Sequence, residues 1–143
     1  MTNVTGSASV QIRSQATIAV PDQPGHMLML AEAVGTQKSS DPHFDLASLL
    51  YASVTELNGS AGTQRGYYVN THPDGDADSG AFEGNVTVEN GLLVVRGTYQ
   101  QTAGTGKFKG SSGSGSFTTR FTSATDVEVA YQGSYQLAAR AAG

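Results

Sequence analysis

Glu32 lies in the most apolar stretch of the chain, His26-Met27-Leu28-Met29-Leu30-Ala31-Glu32-Ala33-Val34-Gly35. A carboxylate in such company loses water, and that loss raises its pKa toward the range of a useful general acid or base. In an alternating strand Glu32 shares a face with Leu28, Leu30 and Val34, so the spacing predicts that this face is interior. Met27, Met29, Ala31 and Ala33 are then outside, where a second subunit would cover them. The alternative for Glu32 is an ion pair at a strand end with Arg65 or Arg96. Glu83 shares its face with Asn85 and Thr87 and reads as solvated. Tyr67 and Tyr68 are adjacent, so they point to opposite sides of a sheet and one of them lines the interior. A tyrosine hydroxyl there can donate to a ligand carbonyl or ether oxygen. The candidate catalytic set is therefore Glu32, Tyr67 and Tyr68. Leu28, Leu30, Tyr51, Asn70, Tyr99 and Tyr131 are the candidate ligand-lining side chains.

Other motifs read as structural. Asp74-Gly75-Asp76-Ala77-Asp78 sets three carboxylates at alternate positions, as a calcium loop does. Gly80 falls one place late for the EF-hand glycine, and Asn85 stands where a bidentate Glu is needed, so a solvated acidic hairpin loop is favoured. Gly106-Lys107 lacks the glycine five places earlier that a phosphate loop requires, since that position is Gln101, and Phe108 replaces the Ser or Thr. Its glycines suit a tight corner between strands. His26, His43 and His72 have no zinc spacing and read as strand-end or surface residues. No nucleophile elbow is present, and no cofactor is expected.

The elements that must position these residues are strands. Val4–Val20 alternates and stops at Pro21-Asp22-Gln23-Pro24-Gly25. His26–Gly35 reads as a strand buried on both sides or a short helix, with the strand favoured by its brackets. Thr36–Asp45 reads as a polar loop. Leu46–Leu57 has both helical and strand spacing and ends at Asn58-Gly59, a hairpin signal. Gly66–Thr71, Ala81–Val88, Leu92–Tyr99, Ser116–Phe121 and Asp126–Leu137 complete the set, with a second Asn-Gly turn at Asn90-Gly91 and a loose tail from Ala138 to Gly143. About eight strands joined by hairpins predict an all-β chain with little helix, a closed antiparallel barrel forming one domain over residues 1–143.

Composition agrees. Glycine occurs 18 times in 143 residues while only 14% are charged, which favours tight turns over helical bundles. A net charge of −4 argues against nucleic-acid binding. Without cysteine there is no disulfide, thiol nucleophile or Cys-ligated zinc. Met1-Thr2-Asn3-Val4 lacks the features of a signal peptide, and no apolar run is long enough for a membrane helix, so a cytoplasmic protein is expected.

Gly62-Thr63-Gln64-Arg65-Gly66-Tyr67-Tyr68-Val69-Asn70, then Asp74-Gly75-Asp76 and Phe82-Glu83-Gly84, resembles a group of small uncharacterised bacterial proteins. Leu30-Ala31-Glu32 through Asp41-Pro42 fits the same group. Gly104-Thr105-Gly106-Lys107-Phe108-Lys109-Gly110, with Gly113 and Gly115-Ser116-Phe117, is similar to the Gly-rich corner of allene oxide cyclase-like barrels. The resemblance covers residues 26–137 and implies a closed eight-stranded barrel with an apolar lumen. Plant members cyclise a fatty-acid epoxide, and some bacterial relatives catalyse pericyclic or cyclisation steps. No motif in this chain matches the plant cyclase's polar site, so that activity is not carried over. The expected partner is a small hydrophobic molecule held in the lumen; an activity, if present, would be that of an isomerase or cyclase. The other expectation is a non-catalytic module with a side-chain-filled barrel, acting as a homo-oligomer, a dimer or trimer, with neither nucleic acid nor membrane as partner.

Overall fold

The computed structural model of the protein describes residues 1–138. Its strands are β1 (Thr2–Ala19), β2 (His26–Ser39), β3 (Ser48–Asn58), β4 (Ala61–Thr71), β5 (Ala77–Glu89), β6 (Leu92–Gly104), β7 (Ser112–Phe121) and β8 (Asp126–Gln136). Each is antiparallel to its sequence neighbours, and β8 pairs with β1, so the sheet closes into an eight-stranded barrel without a free edge. The one helical piece among the described residues is a 3-10 turn at Gly106–Phe108. No helix among them is long and apolar enough to cross a membrane. Most of the tail expected to be loose, residues 139–143, lies outside the described residues.

The turns follow local chemistry. Glu89 pairs with Leu92, leaving Asn90 and Gly91 as central residues with φ of 53° and 78°. Both are left-handed, as a type I′ hairpin requires. At the other Asn-Gly site, Asn58 still pairs with Ala61, so the turn is Gly59-Ser60 and only the glycine, at φ 69°, is left-handed. That turn sits one residue later than the dipeptide suggests.

Several strands run past their expected ends. Thr36–Ser39 belongs to β2, Ala61–Arg65 to β4, and Ser112–Gly115 to β7. These segments are rich in Gly, Ser and Thr. Closure supplies hydrogen-bonding partners on both sides, which overrides weak strand propensity.

The barrel is filled in three tiers. One end packs Leu57, Val86, Val95 and Phe117, with Met27 and Met29 against them. The middle packs Ala8, Val10, Ala33, Tyr51 and Val127. The other end is stoppered by Val4, Phe44, Phe108 and Tyr135. Phe44 comes from the β2–β3 loop and Phe108 from the 3-10 turn, so two connections fold inward over that mouth.

The inward face of β2 reverses the expected one. Met27, Met29 and Ala33 are in the interior clusters, whereas Leu28 and Leu30 are exposed, Leu30 at 57%. Both alternating sets are apolar, so hydropathy does not choose between them. Space does: in the middle tier Ala33 is fully buried, and a Cβ on neighbouring Gly35 would meet Val10 at 2.5 Å. The opposite facing would put Glu32 or Val34 at the Ala33 place and a full side chain at the Gly35 place, overfilling the lumen.

Candidate functional site

Inside the barrel lies a cavity of about 110 Å³ whose wall draws on all three tiers. That is the scale of a void able to hold a single-ring molecule. Its wall combines Leu49, Phe82, Phe117 and Val129 with the rings of Tyr51, Tyr68, Tyr99 and Tyr131. Consecutive tyrosines meet edge to face, Tyr68 on Tyr99 and Tyr99 on Tyr131, each with centroids 6.1 Å apart.

Glycines on the adjoining strands make room for these rings. Tyr68 pairs across the sheet with Gly80, Tyr99 with Gly115, and Tyr131 with Gly6. A Cβ on Gly80 would lie 2.6 Å from Tyr68 Oη, and one on Gly115 would lie 2.6 Å from Tyr99 Oη. The Gly-rich corner after Gly104 thus serves the lumen as well as the turn.

The hydroxyls divide into two groups. Tyr131 Oη donates to Gln37 Oε1 at 2.5 Å, and Tyr135 Oη donates to Asp41 Oδ2 at 2.5 Å. Those of Tyr51, Tyr68 and Tyr99 make no hydrogen bond to a described residue; all three side chains line the cavity, and since no fully buried side-chain polar atom among the described residues lacks a partner, these hydroxyls are not sealed within protein. Burial pushes Tyr51 and Tyr99 up to about 12. Burial, then the Asp78 carboxylate and the neighbouring tyrosines, push Tyr68 higher still. All three phenols therefore keep their protons at neutral pH and remain donors. Asp78 is among the causes for Tyr68 and Tyr99, as for Tyr131 and Tyr135, but not for Tyr51, so of the three phenols without a hydrogen bond Tyr68 and Tyr99 feel its charge.

Asp78 is the terminus of a hydrogen-bonded chain. Tyr131 donates to Gln37, Gln37 Nε2 donates to Asn70 Oδ1, and Asn70 Nδ2 donates to Asp78 Oδ2 at 3.2 Å. From the other side His72 Nε2 approaches Asp78 Oδ1 at 2.6 Å. His72 Nδ1 lies on the His43 carbonyl, which only accepts, so Nδ1 carries a proton. Nε2 is the ring nitrogen turned to the Asp78 carboxylate. The imidazole is stacked on Phe108 at 4.5 Å and meets the edge of Phe44 at 4.9 Å. Side-chain exposures of 1% for His72 and 3% for Asp78 leave the pair no bulk water. Asp78, Asn70 and Gln37 also form part of the cavity wall.

Of the expected site residues, Tyr51, Tyr68, Asn70, Tyr99 and Tyr131 come together on the cavity. Glu32, Tyr67, Leu28 and Leu30 do not. Glu32 projects outward and accepts from Arg13 Nε at 2.5 Å; Arg13 is the extra residue of a bulge between Ile12 and Ser14, and it replaces Arg65 or Arg96 as the partner. An outward Glu32 keeps its hydration, which removes the physical reason for making it an acid or base. Tyr67 is 74% exposed, and Leu28 and Leu30 share the outer face of β2. The acidic loop also separates: Asp74 and Asp76 accept from Lys107 Nζ, while Asp78 turns into the barrel. No group of three metal-ligating acids or histidines forms among the described residues.

The sequence reading missed His72, Asp78, Gln37, Gln64 and Gln101 as lumen residues. The signal for two of them was parity. Asn70 and His72 follow Tyr68 at steps of two, and Asp78 precedes Phe82 at the same step across the turn. Comparison with known proteins returns no matching family model, curated protein or solved structure.

Proposed function

We propose that this barrel binds one small, largely apolar molecule carrying a hydrogen-bond acceptor, of the size of a six-membered cyclic ketone. The observation that supports this most is the 110 Å³ cavity lined by Tyr68 and Tyr99, whose hydroxyls make no hydrogen bond to a described residue and are not sealed within protein. A core built only for stability would satisfy those hydroxyls or replace them with phenylalanine, because a donor left without an acceptor against an apolar cavity wall is costly. A carbonyl or ether oxygen satisfies both. Kinship with allene oxide cyclase-like barrels, isomerase or cyclase chemistry and a cytoplasmic setting belong to the same proposal, supported by the eight-stranded closed meander and the Gly-rich corner. Native mass spectrometry of freshly purified protein, followed by denaturing spectra, tests it. Extra mass that leaves on denaturation supports a retained ligand. Bare chains that also fail to take up added cyclohexanone contradict it.

A second reading is favoured by the outer wall. Leu28, Leu30, Tyr67 and Val69 are exposed on β2 and β4, and Leu30 lies opposite Val54 on the intervening β3. In this reading the barrel is a homo-oligomeric module that covers this wall with a second copy. The expected interface of Met27, Met29, Ala31 and Ala33 does not carry over, since that face is the inner one. A concentration-dependent assembly abolished by Leu30→Lys supports the reading, and a monomer at all concentrations contradicts it.

A further inference from the structure

We infer that the lumen catalyses proton transfer next to a carbonyl, isomerising a small β,γ-unsaturated ketone to its conjugated form, with Asp78 as the base. The inference rests on the ligand-binding reading above and assigns that ligand a chemistry.

Three requirements of enolisation are met on one wall. A base must face the substrate in a dry site. Asp78 lines the cavity, and only 3% of its side chain is exposed. His72 takes one lone pair of Oδ1 and Asn70 takes one of Oδ2. Each carboxylate oxygen has two lone pairs, so both retain one for a substrate proton. The developing enolate needs donors already in place. Tyr68 and Tyr99 supply two phenols that line the same cavity as Asp78, with ring centroids 6.1 Å apart, and whose hydroxyls make no hydrogen bond to a described residue. The base must also be held still, and the contacts from His72, braced by Phe108 and Phe44, and from Asn70, braced by Gln37, do this.

The step balances within the site. The Cα–H bond breaks and its proton moves to Asp78. The bonding pair becomes the new Cα=C bond, and the carbonyl π pair moves to oxygen, where the two hydroxyls bind it. The enolate then collapses while Asp78 returns the proton to the γ carbon, giving the conjugated ketone. Nothing is oxidised or reduced, and no co-reactant is needed. His72 is a positioning residue: it touches Asp78 and not the reacting atoms.

The test combines turnover of β,γ-cyclohexenone, read by ultraviolet absorbance of the conjugated product, with cyclohexanone binding read by thermal shift. The expected result is turnover above the buffer rate that falls at least about hundredfold in Asp78→Asn, while Asp78→Asn still binds cyclohexanone. Tyr68→Phe and Tyr99→Phe are each expected to lower turnover with little change in melting temperature. His72→Gln is expected to displace the pH profile of kcat, which a purely structural role would leave in place. Binding of cyclohexanone without turnover overturns the inference and leaves the binding reading standing. Turnover undiminished in Asp78→Asn also overturns it. Absence of both binding and turnover overturns the binding reading as well. If Asp78→Asn fails to fold, wild-type deuterium uptake into cyclohexanone in heavy water decides, and no uptake above buffer overturns the inference.

Discussion

His72 Nε2 and Asp78 Oδ1 lie 2.6 Å apart inside the barrel, joined across the β4–β5 turn and cut off from bulk water. Among the described residues, neither partner has another charged group at hydrogen-bonding distance to compensate it. Removing one of them strands the other's charge or donor. Asp78→Ala is therefore expected to cost about 3–5 kcal/mol of stability, and Asp78→Asn less, because the amide keeps an acceptor for a hydrogen bond. Denaturant titration of both variants checks the order. Equal stability of Asp78→Ala and wild type would contradict the pairing.

Phe108 is fully buried and stacks on His72 while tilting against Phe44 and Tyr135. Phe108→Ala is expected to cost about 3–5 kcal/mol by leaving a hole in the stoppered mouth. Calorimetric melting reads the loss. A cost under about 1 kcal/mol would mean that the mouth is not packed as described.

The register of β2 can be tested from its two faces. Leu30→Lys, on the outer wall, should change monomer stability by no more than about 0.5 kcal/mol, while Met29→Lys, against the inner cluster at the far end, should cost several times that. The reverse order would restore the face first expected from the sequence.

That face shows where sequence reasoning stops. Closure, strand number and most turns are written in alternation and in Asn-Gly and Pro-Gly dipeptides, so the barrel is legible. The facing of β5 and β8 is legible too, because Val127, Val129, Tyr131 and Tyr135 oppose a polar set in one and Glu83, Asn85 and Thr87 mark the outside of the other. β2 has no polar set. Its facing is decided by lumen volume around Ala33 and Gly35, a property of all eight strands together. The candidate site inherits the error through Glu32. Asp78 was hidden for a different reason: its neighbours Asp74 and Asp76 made it look like one of a solvated trio, although strand parity places it beside Tyr68 and His72.

His26 supplies a pH dependence outside the lumen. Its Nδ1 lies 2.7 Å from Asp22 and its Nε2 lies 2.6 Å from Glu56. Hydrogen bonds to Asp22, then to Glu56, raise its pKa above the ordinary 6.5. A raised histidine stabilises the fold fully below the unfolded value, and that stabilisation is lost as pH rises through the folded value. Stability should therefore decline on passing upward from 6.5, and His26→Gln should remove that part of the decline. Melting temperature against pH for both proteins reads it. An identical profile in the variant would assign the decline elsewhere.

The central claim is that Tyr68 and Tyr99 hold the oxygen of a small ligand in the lumen. Calorimetric titration of cyclohexanone into wild type and into the Tyr68→Phe/Tyr99→Phe double variant tests it most directly. The account predicts one site per chain, with binding weakened about tenfold to hundredfold when both hydroxyls are gone. Equal affinity in the two proteins, or no binding by wild type while the fold is intact, would contradict it.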